Sequence, residues 1–301
     1  MVHLSALFAS ALLACTALAN PSPAPAEANE VSELQRRQGK PPFFILIGDS
    51  TTAPVQAWRP NNTPPGGGGW GDGFLGTLNA PAGGLNLGHN GQDTLSYRVN
   101  GFWKEVIGNV TEKSKTHDIF CTVQFGHNDQ KVNKAGVRRV GLNEYEKNLI
   151  AYVTELRALK VADVILVTPL TRRSFNKAGA LIDDLSSESI KTKEAAATVK
   201  TTVIDLNAAS RKYVQAVGLP EITKVNADYR NVKDLATSSD RTHLNGPGSL
   251  IFGRIVSDLI TAALPPLGAR WIKKDAPLSQ AIAAGKLPLC FSSTKGCPLY
   301  G

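Results

Sequence analysis

Four widely separated stretches of this chain carry residue types that together can open an ester. Ser50 follows Gly48-Asp49 at the end of an apolar run, and Asp240 stands three residues before His243. Between them lie Gly91, in Gly88-His89-Asn90-Gly91, and Asn128, in Gly126-His127-Asn128-Asp129. A serine hydroxyl is a weak nucleophile until a base takes its proton, and an imidazole is the usual base near neutrality. The imidazole needs an acid to fix its tautomer and to stabilise its protonated form. An aspartate three residues earlier can reach it across one turn. A carbonyl under attack gathers negative charge on its oxygen, which calls for fixed hydrogen-bond donors. The backbone N–H groups of Ser50 and Gly91 and the side-chain amide of Asn128 are the donors on offer. Each residue alone has a plainer use. Asp240 and His243 can decorate a helix, Asn128 can hold an Asx turn, His89 and His127 can be structural, and Asp49 can brace its own turn. Their joint occurrence, in this order, carries the weight.

The elements around them place these groups at strand ends. Residues 43–47, Phe-Phe-Ile-Leu-Ile, read as a strand buried on both faces, stopped by Gly48. Further strands are expected over 85–87, 118–125, 162–167 and 202–205. Helices are expected over 96–110, 143–160 with Asn143 as cap, 185–199, 206–217 and 247–264. Strands alternating with helices imply βαβ units, hence a parallel sheet with helices on both faces. Ligands of such sheets bind beyond the carboxyl ends of the strands, where Ser50, Gly91 and Asn128 would sit. The Gly66–Gly69 run before Trp70 can only be a loop bringing backbone close to something. Trp70 itself is either a sugar-stacking face or a loop residue tucked into the core.

At 301 residues and 42% hydrophobic, the chain can bury the core of one α/β domain with tails. The net charge of +8 suits an acidic partner such as a polyanionic polysaccharide. Lys and Arg are scattered, however, and no nucleic-acid-binding motif is present. Residues 1–19 read as a secretory signal peptide, with an apolar core and Ala17-Leu18-Ala19 before Asn20. No other apolar run is long enough to span a bilayer, so a secreted, extracellular protein without membrane contact is expected. Residues 20–40 are rich in Pro, Ala and Glu, a disordered linker or a pro-segment cleaved at Arg36-Arg37. The folded domain is expected over 41–265, followed by a tail over 266–301. Cys290 and Cys297 could close a small disulfide loop in that tail, and Cys121 reads as a buried thiol. Asn61 and Asn109 head N-glycosylation sequons. No Cys/His spacing suggests zinc, and no cofactor or metal is called for.

The blocks Gly48-Asp49-Ser50, Gly91, Gly126-x-Asn128-Asp129 and Asp240-x-x-His243 resemble those of the GDSL/SGNH hydrolases. Gly48-Asp49-Ser50-Thr51 and Phe125-Gly126-His127-Asn128-Asp129 are similar to the rhamnogalacturonan acetylesterase branch. The similarity runs over roughly residues 42–264. It implies a three-layer α/β/α sandwich around a parallel five-stranded sheet, of flavodoxin-like SGNH type. It also implies Ser50 as nucleophile, His243 as base, Asp240 as orienting acid, and Ser50, Gly91 and Asn128 as the oxyanion hole. Trp70 and His127 are added as candidate substrate contacts. The expected substrate is an acetylated plant cell-wall polysaccharide, a pectic one, hydrolysed by a monomer. The branch commonly has Gly-Arg-Ser where this chain has Gly91-Gln92-Asp93, which leaves open an acetylxylan or general short-chain carboxylesterase. An inactive carbohydrate-binding protein on an esterase scaffold is the alternative from another class.

Overall fold

The computed structural model describes residues 39–55, 68–229 and 240–288. The described residues from Lys40 onward belong to one compact unit. The signal peptide, Arg36-Arg37, Asn61, Cys290 and Cys297 lie outside the described residues.

The strand-forming run yields β1 (Pro42–Gly48), whose residues are buried from Phe44 to Gly48. It is joined by β2 (Gly83–Gly88), β3 (Asp118–Gln124), β4 (Asp163–Val167) and β5 (Thr202–Ile204). All pairings are parallel, in the order β2-β1-β3-β4-β5. The chain reverses direction across the sheet between β1 and β3, which makes their carboxyl ends the switch point where ligands of such sheets bind. Gly48 pairs with Gly88 on one side and Gln124 on the other. Ser50, Gly91 and Asn128 therefore stand two, three and four residues past one common rung.

Alternation along β1 feeds two cores. Phe44 and Leu46 point to one face, packed by α1 (Gly71–Leu75), α6 (Leu206–Val217) and α7 (Gly246–Ala263). Ile45 and Ile47 point to the other, packed by α2 (Ser96–Val99), α3 (Phe102–Lys113), α4 (Leu142–Ala158) and α5 (Ser186–Val199). This is the expected three-layer α/β/α arrangement. On α4 the three- and four-residue spacing puts Leu149, Val153 and Leu156 into the core.

Local chemistry explains where the elements differ from expectation. The helix expected over 96–110 is two, because Asn100-Gly101 interrupts it and Gly101 takes φ +86°, a left-handed value. Asn143 does not cap α4; Gly141 does, and Asn143 falls inside the first turn. Asn245 caps α7 through its side chain, which accepts from the Gly248 N–H at 3.0 Å. Pro265 ends α7 but opens α8 (Pro265–Trp271), since proline fits a first helical turn. Then α9 (Ala276–Ala283) follows, and both pack on α7, so the described part of the expected tail is structured. Asn109 lies within α3, its amide donating to the Glu105 carbonyl at 2.9 Å.

Candidate active site

The turn after β1 is made by two residues. Gly48 has no room for a side chain, because a Cβ there would meet Thr52 Oγ1 at 2.4 Å and the Gln124 carbonyl at 2.6 Å. Asp49, fully buried, accepts from the Thr51 N–H at 2.8 Å and the Thr51 hydroxyl at 2.7 Å on one carboxylate oxygen. Its carbonyl accepts the N–H groups of Thr52 and Ala53, both at 3.1 Å. Burial alone would raise the Asp49 pKa. The His127 ring beside it and the two Thr51 donors outweigh that and hold it below its ordinary 3.8. Ser50 is thereby fixed at the rim of the sheet, 5% exposed.

Beneath the turn runs a buried polar chain. The Trp70 indole N–H donates to Gln124 Oε1 at 2.6 Å, Gln124 Nε2 donates to Thr51 Oγ1 at 2.5 Å, and that hydroxyl donates to Asp49. This corrects the reading of Trp70 as a substrate contact. Its side chain is wholly buried and its one polar atom is spent inside. The cause lies in the glycines before it. Gly68 and Gly69 pack backbone against backbone, where a Cβ would stand 2.3 Å from the Leu244 carbonyl and 2.0 Å from the Thr51 carbonyl. The Gly68 N–H donates to the Ser50 carbonyl at 3.2 Å, and the Gly68 carbonyl accepts from the Leu244 N–H at 2.8 Å. One glycine thus ties the Ser50 turn to the segment that carries His243.

The base segment brings its pair into line. His243 Nε2 lies 2.8 Å from Ser50 Oγ. His243 Nδ1 lies 3.1 and 3.0 Å from the two carboxylate oxygens of Asp240. Asp240 also accepts from the N–H groups of Thr242 (3.1 Å) and His243 (2.9 Å). Burial pushes its pKa up, but the hydrogen bond and charge of His243, with the two N–H donors, leave it below 3.8. It is therefore an anion at neutral pH, placed to hold the imidazole with Nδ1 protonated and Nε2 free to accept from the serine.

The donors for an oxyanion collect on the same side. Gly91 adopts φ +75° with open space around its Cα. Within the described residues neither the Ser50 nor the Gly91 N–H makes a hydrogen bond. Asn128, 3% exposed, donates one amide hydrogen to the Gln92 carbonyl at 2.8 Å, which orients the amide and leaves its second hydrogen free. Asp129 locks this turn to the one after β2, accepting from the Thr94 N–H (3.0 Å), the Thr94 hydroxyl (2.6 Å) and the Gly126 N–H (3.0 Å). Burial pushes its carboxyl up to about 7 against the pull of the Thr94 donors.

His127, the other expected substrate contact, is 2% exposed. Its Nδ1 lies 3.6 Å from Asp49 and 3.5 Å from the Thr51 hydroxyl, and its buried Nε2 has no hydrogen-bond partner among the described residues. Burial lowers its pKa more than Asp49 raises it, so the ring is neutral at neutral pH. Gln92, standing where the resembled branch has arginine, folds back on Asn90 and Asn100. A cation arrives from elsewhere: Arg139, from the loop after β3, lies 2.6 Å from Asp93 and donates to the Gly91 carbonyl at 3.4 Å. Sequence reasoning missed Gln124 and Arg139, which carry no motif of their own, and the partners of Thr51 and Gly68, although both stand in stretches it singled out. Among the described residues no group of three His, Cys, Asp or Glu side chains is placed to hold a metal ion, and no helix is long and apolar enough to cross a membrane.

A scan against protein-family models finds no match. The rhamnogalacturonan acetylesterase RhgT of Bacillus subtilis (strain 168) is 24% identical over 243 residues, covering 78% of this chain and 97% of that protein. Among solved structures, an X-ray structure of a Bacillus subtilis protein matches with a TM-score of 0.56 and 20% identity. It covers 74% of this chain, which spans only 57% of that structure. A catalytic mutant of Axe2, an acetylxylan esterase from Geobacillus stearothermophilus, matches with a TM-score of 0.52 and 22% identity, over 74% of this chain and 95% of that one. The solved catalytic mutants of that enzyme replace a serine, an aspartate and a histidine three residues beyond the aspartate. The fold is shared with these solved structures, and the arrangement of Ser50, His243 and Asp240 can carry out carboxylic ester hydrolysis.

Proposed function

We propose that this chain, which resembles the GDSL/SGNH hydrolases in fold and in the order of its polar blocks, is a serine esterase that removes acetyl groups from plant cell-wall polysaccharide. The observation that carries the reading is the 2.8 Å approach of His243 Nε2 to Ser50 Oγ, with Asp240 behind the imidazole. His243 takes the serine proton as Oγ attacks the acetyl carbonyl. The oxyanion is held by the N–H groups of Ser50 and Gly91 and the Asn128 amide. His243 then gives that proton to the departing sugar oxygen, which leaves as a hydroxyl with acetyl remaining on Ser50. Water, deprotonated by His243, attacks that acetyl, and acetate leaves as Oγ regains its proton.

A pectic substrate is favoured by the wall beside the site. The loop after Asn128 exposes Lys131, Lys134 and Arg139, and Arg139 reaches the Gly91 turn. Such a wall suits the carboxylates of a uronic-acid backbone. The activity named for RhgT points the same way. Acetylated xylan is the second reading, favoured by the likeness to Axe2. We further take the enzyme to be secreted and monomeric, with a signal peptide over 1–19 and a Cys290–Cys297 disulfide, and Asn61 and Asn109 as glycosylation sites. Acetate release from acetylated rhamnogalacturonan fragments and from acetylated xylan tests the substrate. The pectic reading expects faster release from the first, falling as salt is raised. Equal or faster release from uncharged xylan overturns it.

A further inference from the structure

We propose that Arg173 is a positioning residue for the general base, acting through the backbone that carries His243; this rests on the triad reading above. Arginine is almost never fully buried unless paired, yet Arg173 is 0% exposed. It leaves β4 in the run Thr168-Pro169-Leu170-Thr171-Arg172-Arg173, and each of its polar groups goes to one neighbourhood. Its backbone N–H donates to the Arg241 carbonyl at 2.9 Å. Its Nε donates to Asn226 Oδ1 at 2.5 Å, its Nη1 to the Thr242 carbonyl at 3.4 Å, and its Nη2 to the His243 carbonyl at 2.7 Å. A guanidinium holds its donors in a fixed planar fork that spans separated acceptors, whereas a lysine ammonium offers three rotatable donors from one point. The His243 carbonyl is further pinned by the Ala227 N–H at 3.0 Å. The imidazole is thus aimed from behind, through its own main chain.

The charge matters as well as the fork. Burial brings the Arg173 pKa down to about 10, offset by the charges of Asp240 and Asp228, so it is a cation at neutral pH. The groups facing His243 come from several elements. Asp240 lies on its own segment, with Asp228 bonded to the Asp240 N–H at 3.1 Å. Neutral Ser50 comes from the β1 turn and neutral His127 from the β3 turn. Arg173 comes from the β4 loop, where Arg172 pairs with Asp184 and reaches the His127 carbonyl. A cation in this set favours ionised Asp240, the anion that holds the imidazole.

The test uses the full chain and p-nitrophenyl acetate. It compares wild type, Ser50→Ala, Arg173→Lys and Arg173→Gln for kcat and KM, each normalised to folded protein by circular dichroism. Arg173→Lys keeps charge and loses the fork: kcat should fall about tenfold to a hundredfold with KM little changed. Arg173→Gln loses both and should fall at least as far, again with KM little changed. If Arg173→Gln does not fold, Asn226→Ala, which frees one prong and keeps the charge, should lower kcat severalfold. Folded variants with wild-type kcat overturn the proposal, as does activity lost only in step with unfolding. A wild type without Ser50-dependent turnover overturns the triad reading and this one with it. A wild type that turns over beside indifferent Arg173 variants overturns this one alone.

Discussion

Replacing Asn128 by alanine separates catalysis from folding more cleanly than any other single change at the site. The side chain is 3% exposed and does two jobs with one amide. One hydrogen binds the Gln92 carbonyl at 2.8 Å; the other is free to meet the oxyanion. Loss of the first removes one neutral hydrogen bond and leaves a half-buried carbonyl without its partner, about 1–2 kcal/mol in all. For a domain of this size that lowers Tm by about 2–8 °C. Loss of the second removes a donor that matters only once negative charge has formed, which typically costs about 100- to 1,000-fold in kcat, or about 3–4 kcal/mol of barrier. KM should change by less than about threefold, because the ground-state carbonyl gains little from the hole. Initial rates on p-nitrophenyl acetate, with a thermal melt on the same protein, read both numbers. A folded Asn128→Ala enzyme with kcat within about threefold of wild type refutes the assignment of Asn128 to the oxyanion.

Trp70→Phe leaves the side-chain oxygen of Gln124 unpaired beneath the Ser50 turn, so the melt should drop by the equivalent of about 1–3 kcal/mol. KM for polysaccharide should hold; a large rise in KM at unchanged stability would restore Trp70 as a sugar platform. Gly68→Ala pushes a Cβ to within 2.3 Å of the Leu244 carbonyl at a backbone φ of +153°. It should therefore separate Ser50 from His243 and lower kcat about tenfold or more, and wild-type kcat in this variant refutes the bridge. Asp49 is held below its ordinary 3.8, so it contributes stability that is complete above about pH 4 and is lost as pH falls through its folded-state value. Asp49→Asn should be less stable than wild type at pH 7, and the gap should narrow below about pH 4. A gap that is constant with pH contradicts the assignment.

β1 and β4 were legible because burial on both faces leaves a continuous apolar run, as in Phe43 to Ile47 and Val164 to Val167. The polar blocks were legible because the sheet sets them just past one rung, so sequence order became spatial order. What escaped was chemistry that depends on distant partners. The glycines before Trp70 announce close backbone approach, but not that the approach is to Thr51 and Leu244, so whether the indole faces sugar or core could not be read. Arg173 sits beside Arg172 as one of two identical letters; only the fold shows that one is buried under His243 and the other pairs with Asp184. Asn100-Gly101 was readable as a break, and the helix drawn through it gave too much weight to periodicity. The tail expected from residue 266 hid α8, because a proline that ends one helix can equally begin the next.

The measurement that bears most directly on the site is the identity of the atom that carries acetyl during turnover. Wild-type protein mixed with p-nitrophenyl acetate, quenched in acid within the first turnover and mapped by peptide mass spectrometry, should show acetyl on Ser50. His243→Ala should show far less, and Ser50→Ala none. Rapid hydrolysis with acetyl found on another residue, or with Ser50→Ala as active as wild type, would contradict the role given to Ser50.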